Sequence, residues 1–255
     1  MPMKGSGKAT EFRKIDRRDN GVGWIAYPDE TMQRASHAFA VDGEVWVCDP
    51  VDVEGLDDLL AEFGEVAGVV ILLDRHKRDA ATIATRHGVS VHVPDWMDGV
   101  VEEIDAPTER IHLELGDTGV GVHKLVDNRF WQEAALYIED RDELIVPESV
   151  GTADYFRAGS ERLGVHPMLR LKPPKKLRRF SPERVLVGHG AGVDEDASQA
   201  LSNAVSGARA RTPGLYLKNF RKLVMGRRPL CDSNLDVLEV RVLPFAAVGQ
   251  RTLAL

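Results

Sequence analysis

The stretch SHAFAVDGEVWVCDP, residues 36–50, alternates apolar and polar positions on both sides of Asp42-Gly43. That pair suits the positive φ angles of a tight hairpin turn, so two strands ending near Asp49 are predicted. In VDVEGLDDLLAEFGEV, Leu56, Leu59, Leu60 and Phe63 recur at roughly helical spacing with acidic residues between them, which predicts an amphipathic helix. VAGVVILL, a continuous apolar run rich in β-branched residues, predicts a strand covered on both faces.

That strand runs into the charged knot DRHKRD, residues 74–79. A helix near 78–87, closed by Gly88, and the strand VSVHVP follow. Further strands are predicted at IHLEL, VGVHKLV, EAALYIED and ELIVPE, the last two separated by a charged turn at Asp140 to Asp142. Residues 159–182 form an irregular excursion, because Pro173-Pro174 excludes a continuous helix. RVLVGHGAGV reads as a strand entering a glycine-flanked His189. DEDASQALSNAVSGARA, acidic at its start and basic at its end, has the order that complements a helix dipole. A second helix is predicted near YLKNFRKLV. The order of strands, helix, strands, helix points to one layered α/β domain over residues 11–255 behind a flexible segment 1–10.

Composition narrows the class. A chain of 255 residues with 43% hydrophobic and 29% charged residues supports one sizeable core. No apolar run reaches the length of a membrane span, and the basic N-terminus MPMKGSGKATEFRK lacks the apolar stretch of a secretory signal. A cytoplasmic protein without a membrane partner is expected. Cys48 and Cys231 alone build neither a disulfide framework nor a thiolate zinc cage. A net charge of −7 argues against a nucleic-acid partner held by overall charge. LKPPKKLRRF reads as a solvated basic loop, with phosphate or RNA binding as the competing reading. The expected partner is an unidentified small-molecule substrate or ligand; oligomeric state stays open.

The candidate chemistry lies at strand ends: Asp49, then Asp74, His76, Arg78 and Asp79, then Glu148, then His189. In layered α/β folds such loops converge at one end of the sheets. A plainer reading puts Asp79 at the positive end of a helix, with Lys77 and Arg78 facing water. Two cations at a helix start are unfavourable, so Arg78 is expected to have an acidic partner. The glycines beside His189 allow the close backbone approach that aims a side chain into a pocket. His37, His87, His92, His112, His123 and His166 lack such a context and are assigned to surface or core.

These segments together resemble the metallo-β-lactamase superfamily from about Ser36 to His189 and into the following helix. That family places an Asp after an early strand, a His-x-His-x-Asp-His loop between strand and helix, a lone His, a bridging Asp after a later strand, and a final His. VCDP supplies Asp49; LLDRHKRDA puts Asp74, His76, Arg78 and Asp79 in the four ligand slots; ELIVPESVGT puts Glu148 in the bridging slot; VLVGHGAGV supplies His189. The lone His has no counterpart, since Asn128, Arg129, Phe130 and Trp131 stand there and His123 comes too early.

The resemblance implies an αββα sandwich, two mixed β-sheets flanked by helices. It further implies a hydrolase-like protein with at most one Zn²⁺ or other divalent metal, or none. One family position would retain Asp74 and His76, the other Asp79, Glu148 and His189, with Asp79 and His189 catalytic. The hydroxide such ions generate attacks esters, thioesters or phosphodiesters. The alternative is a non-catalytic descendant that binds a ligand or partner. There Arg78, with Arg129, would neutralise Asp49, Asp74, Asp79 and Glu148 where metals once did.

Overall fold

The computed structural model describes Met3, Gly7 and residues 9–225. Most of the segment 1–10 and residues 226–255 of the expected domain lie outside the described residues.

Two strands missing from the sequence reading, β1 (Arg13–Arg18) and β2 (Gly21–Ile25), precede the expected hairpin of β3 (Ala35–Val41) and β4 (Glu44–Cys48). The hairpin turns through Asp42 at φ 51° and Gly43 at φ 85°, the left-handed pair that a tight two-residue turn requires. Then come α1 (Leu56–Ala61), β5 (Glu65–Val70), α2 (Ala80–His87), β6 (Val91–Pro94), α3 (Asp98–Val101) and β7 (Thr108–Ile111). These strands form one sheet in the order β1-β2-β3-β4-β5-β6-β7, antiparallel up to β4 and parallel beyond it.

A second mixed sheet, in the order β13-β10-β9-β8, uses β8 (Gly121–Asn128), β9 (Trp131–Ile138), β10 (Glu143–Val146) and β13 (Arg184–Val187). A two-stranded ribbon, β11 (Val150–Gly151) with β12 (Gly164–Val165), opens the irregular excursion. The chain then forms α4 (Ala197–Met225).

Why β10 and β13 read as unbroken apolar runs follows from the period of two along a strand. Ile145 and Leu186 pack with Leu136 toward the first sheet, in a core cluster that continues through that sheet to Trp24, Ala38 and Val47 and to Leu56 and Leu60 of α1 and Ile83 of α2. Their neighbours Leu144, Val146, Val185 and Val187 face the other way, against Ala197, Leu201, Ala204 and Ala208 of α4. Both faces are therefore covered, and the layers are helices, sheet, sheet, helix. This is the αββα sandwich.

Two local expectations are corrected. IHLEL is not a strand: pairing with β6 ends at Ile111, and Leu113 is 82% exposed where the chain turns away. The two expected C-terminal helices are one, α4, running through Pro213. Pro213 removes one helical hydrogen bond, but packing and cross-links hold the helix together. Leu215 is fully buried, Lys218 Nζ donates to the carbonyls of Asp154 and Arg157, and Asn219 Nδ2 donates to Tyr155 O at 3.1 Å.

Candidate metal centre

The loops that leave β4, β5, β10, β12 and β13 meet at one end of the sandwich. Asp49 follows β4 directly, with φ 44°. Its Oδ1 accepts from Leu72 N–H at 2.8 Å, which ties it to the chain leaving β5. Its Oδ2 lies 3.0 Å from His76 Nδ1. This carboxylate orients the imidazole and sets its tautomer: a proton on Nδ1 leaves the Nε2 lone pair pointing onward. Burial raises the Asp49 carboxyl to about 7, against the opposing pull of Arg78 and the Leu72 hydrogen bond.

His189 follows β13 between two glycines whose roles are steric. A Cβ on Gly188 would stand 2.1 Å from Pro147 O; Gly190 adopts φ 94°, and a Cβ there would stand 2.3 Å from Thr152 Oγ1. The His189 ring, 2% exposed, stacks on Phe156 at 5.2 Å and donates from Nδ1 to Met32 O at 2.9 Å. Its Nε2 is buried without a hydrogen-bond partner. Burial first, then the neighbouring His76 and Arg78, hold the imidazole well below its ordinary pKa. A neutral ring with an unused lone pair results.

Glu148 follows β10 and sits between these rings. His189 Nε2 lies 3.7 Å from its Oε1, His76 Nε2 3.8 Å from its Oε2, and His166 Nε2 3.6 Å from Oε1. One ligand atom from each of His76, Glu148 and His189 lies within 4.8 Å of the others. Two imidazoles and a carboxylate are a donor set that suits Zn²⁺ or Fe²⁺, and the orphaned His189 nitrogen is what such an ion would satisfy. The residues fit a single divalent ion.

Two guanidinium groups border the cluster. Arg75 Nε donates to Glu148 Oε2 at 3.0 Å, its Nη1 to Asp74 Oδ1 at 3.2 Å, and the group lies 3.9 Å over the Trp131 ring. Arg78, at φ 40°, donates to the backbone oxygens of Ala35 and Asp49, both at 2.7 Å, and approaches His76 Nε2 at 3.3 Å. Its hydrogen bonds thus go to carbonyls, the Ser36 hydroxyl and an imidazole, where a carboxylate partner was expected, and the Asp49 carboxylate acts on it through charge alone. The arginine paired with carboxylates is Arg75.

The other candidates lie elsewhere. Asp74 Oδ2 accepts from Gln132 N–H at 3.0 Å, locking the loop to β9. Asp79 occupies the N-cap position of α2, and its Oδ2 accepts from Asp52 N–H at 2.8 Å. Arg129 is exposed beside Phe130 on the turn between β8 and β9. His123 packs edge-on against Phe180.

Three contributors escaped the sequence reading. His166, assigned to surface or core, comes from the irregular excursion and packs edge-on against Trp131. Met168 N–H donates to its Nδ1 at 3.2 Å, so the neutral ring carries its proton on Nε2, facing Glu148. Burial, helped by Arg75, lowers His166 to about 3. Glu133 is fully buried in β9. It accepts from Glu148 N–H at 2.9 Å, Ser149 N–H at 2.7 Å, Trp131 Nε1 at 2.7 Å and the Ser149 hydroxyl. It thereby fixes the backbone that carries Glu148. Burial raises it to about 7 against those four bonds. A lone charge inside the apolar run WQEAALYI was the available signal for it; His166 and Arg75 had none beyond residue type.

No protein-family model matches the chain, and no curated protein matches it. Among solved structures, the metallo-β-lactamase DIM-1 exposed to ceftazidime superposes with a TM-score of 0.56 at 15% identity, covering 80% of this chain and 99% of that one. A metallo-β-lactamase from Pontibacter korlensis gives 0.56 at 12% identity, covering 78% and 99%. TMB-1 gives 0.53 at 9% identity, covering 79% and 97%. The chain has the metallo-β-lactamase fold. Among the described residues, no helix is long and apolar enough to cross a membrane.

Proposed function

We propose that the chain is a divergent metallo-hydrolase whose single divalent ion is held by His76, Glu148 and His189. The observation that carries this reading is the buried, unpartnered His189 Nε2 directed at Glu148 beside the His76 ring. Bound there, a divalent ion would act as a Lewis acid and lower the pKa of a coordinated water, the chemistry that hydrolyses an ester, thioester or phosphodiester. The chain's own residues prepare the site. Asp49 and Met32 O take the Nδ1 protons of the two imidazoles, and Glu133 holds the Glu148 backbone. Asp79, assigned a ligand and catalytic role by family position, instead supports the Asp52 backbone in this reading. Elemental analysis of protein purified without chelator and reconstituted with Zn²⁺, Fe²⁺ or Mn²⁺ tests it. Stoichiometric metal that is lost in His189→Ala is expected; no retained metal in the parent protein overturns it.

The second reading is the non-catalytic descendant, favoured by the Arg75–Glu148 pair and by Arg78 at the His76 lone pair. In it the guanidinium groups are the permanent occupants and the pocket binds a ligand or partner. That reading expects added metal to leave the melting temperature unchanged. It also expects Arg78→Ala to destabilise the fold by about 1–3 kcal/mol, by stranding the carbonyls of Ala35 and Asp49.

A further inference from the structure

Arg75 and a divalent ion would compete for one carboxylate. The guanidinium is bound to Glu148 Oε2 at 3.0 Å, while Glu148 is also the acidic member of the His76, Glu148, His189 cluster. The Arg75 side chain is 39% exposed, in contrast to 9% for Glu148 and 2% for His189, so it stands at the mouth of the site. Trp131 supports it from below at 3.9 Å, a contact that does not depend on Glu148. An aromatic face beneath a guanidinium keeps the group in place while its edge donors exchange partners.

Charge decides what the exchanged partner must be. Asp49 is committed to His76 and Leu72, and Asp74 to Gln132 N–H and to Arg75 Nη1. Glu30 and Arg34 cancel each other at 2.9 Å. Once an ion takes Glu148, Arg75 Nε loses its acceptor while Nη1 keeps Asp74. The mouth then presents a cationic N–H donor released from its carboxylate, a group suited to an oxyanion.

We infer that Arg75 is the substrate-anion receptor: it pairs with Glu148 until a divalent ion displaces it, and then binds a carboxylate or phosphate group of an anionic substrate. This rests on the metal reading above and deepens it by assigning the substrate class and the residue that selects it.

The test is Co²⁺ binding, followed by visible absorption and competition with a chromophoric chelator, for the parent protein, Arg75→Gln and Arg75→Lys. Acetate and methylphosphonate serve as separate anion probes. Arg75→Gln should bind Co²⁺ about five-fold more tightly, the effect of losing a competing ion pair of about 1 kcal/mol. Either anion should strengthen Co²⁺ binding by the parent and by Arg75→Lys but not by Arg75→Gln; the stronger of the two identifies the substrate group. Equal or weaker Co²⁺ binding by Arg75→Gln overturns the competition. An anion effect that persists in Arg75→Gln, or is missing from the parent, overturns the receptor role. Failure of the parent and Arg75→Gln alike to bind Co²⁺ overturns the metal reading itself, a result separable from the others. Circular dichroism melts of the variants confirm that the half-exposed substitutions leave the fold intact.

Discussion

Asp49 Oδ2 lies 3.0 Å from His76 Nδ1, and the opposite nitrogen of that ring faces Glu148 at 3.8 Å. A carboxylate one step behind an imidazole fixes which nitrogen bears the proton. Asp49 therefore acts through His76, as a positioning residue.

Asp49→Asn is expected to weaken divalent-metal binding by about 10- to 100-fold, the usual cost of losing a carboxylate behind a metal-binding His. The Asn can still accept from Leu72 N–H, so the melting temperature should change far less than the metal affinity. Isothermal titration with Zn²⁺ reads the first effect and calorimetry the second. Unchanged affinity would remove Asp49 from the site.

Glu133→Gln is expected to destabilise the protein by about 1–3 kcal/mol. Both Glu133 oxygens accept from N–H donors, at Glu148 and Ser149 on one side and at Trp131 on the other. Either orientation of the amide leaves a buried donor facing an NH₂ group. Urea denaturation measures the loss, and a Glu133→Gln protein as stable as the parent would contradict the network.

Away from the site, Arg170 is fully buried and is held by Glu161, by Val165 O at 3.1 Å and by Phe156 O at 2.6 Å. Glu161 also pairs with Arg211 of α4 at 3.1 Å. Glu161→Ala leaves a buried guanidinium without its counter-charge and should cost about 3–5 kcal/mol. Chemical denaturation checks it. A loss below about 1 kcal/mol, the scale of an exposed pair, would show that Arg170 is not buried as described.

His37 supplies a pH prediction. Its Nε2 meets Val187 O at 2.9 Å between the sheets, and burial lowers its pKa from 6.5 to about 4. The folded state therefore holds fewer protons than the unfolded state between these values, so this residue costs stability as pH falls through 6.5 and the loss is complete below 4. Compared with His37→Gln, the parent should lose about 3 kcal/mol over that range. Taking the difference between the two proteins cancels the opposite contributions of Asp49 and Glu133, whose raised values act in the same window. A pH-independent difference would place His37 in water.

Much of the scaffold is written in local pattern. The Asp42-Gly43 hairpin, the helix closed by Gly88 and the apolar runs of β10 and β13 follow from φ preference and side-chain period, which act over a few residues. The same periods placed Asp49, His76, Glu148 and His189 at strand ends. β1 and β2 escaped because residues 13–25 mix charges and glycines with few apolar positions, and the core strand β2 is made a strand by its pairing with β3.

Only the tertiary structure decided which side chains share the site. Asp74 and Asp79 are as acidic as Glu148 and sit beside His76 in the chain, yet each spends a carboxylate oxygen on a nearby backbone N–H, at Gln132 and at Asp52. Arg78 turns to the carbonyls of Ala35 and Asp49, while Arg75, three residues before it, turns to Glu148. His166 arrives from an excursion with no periodic signal. These choices depend on which donors, acceptors and walls distant segments bring within about 3 Å of one another, the range of a hydrogen bond. Sequence spacing carries the strand ends to one end of the sandwich; hydrogen-bond competition between segments far apart in the chain selects the cluster found there.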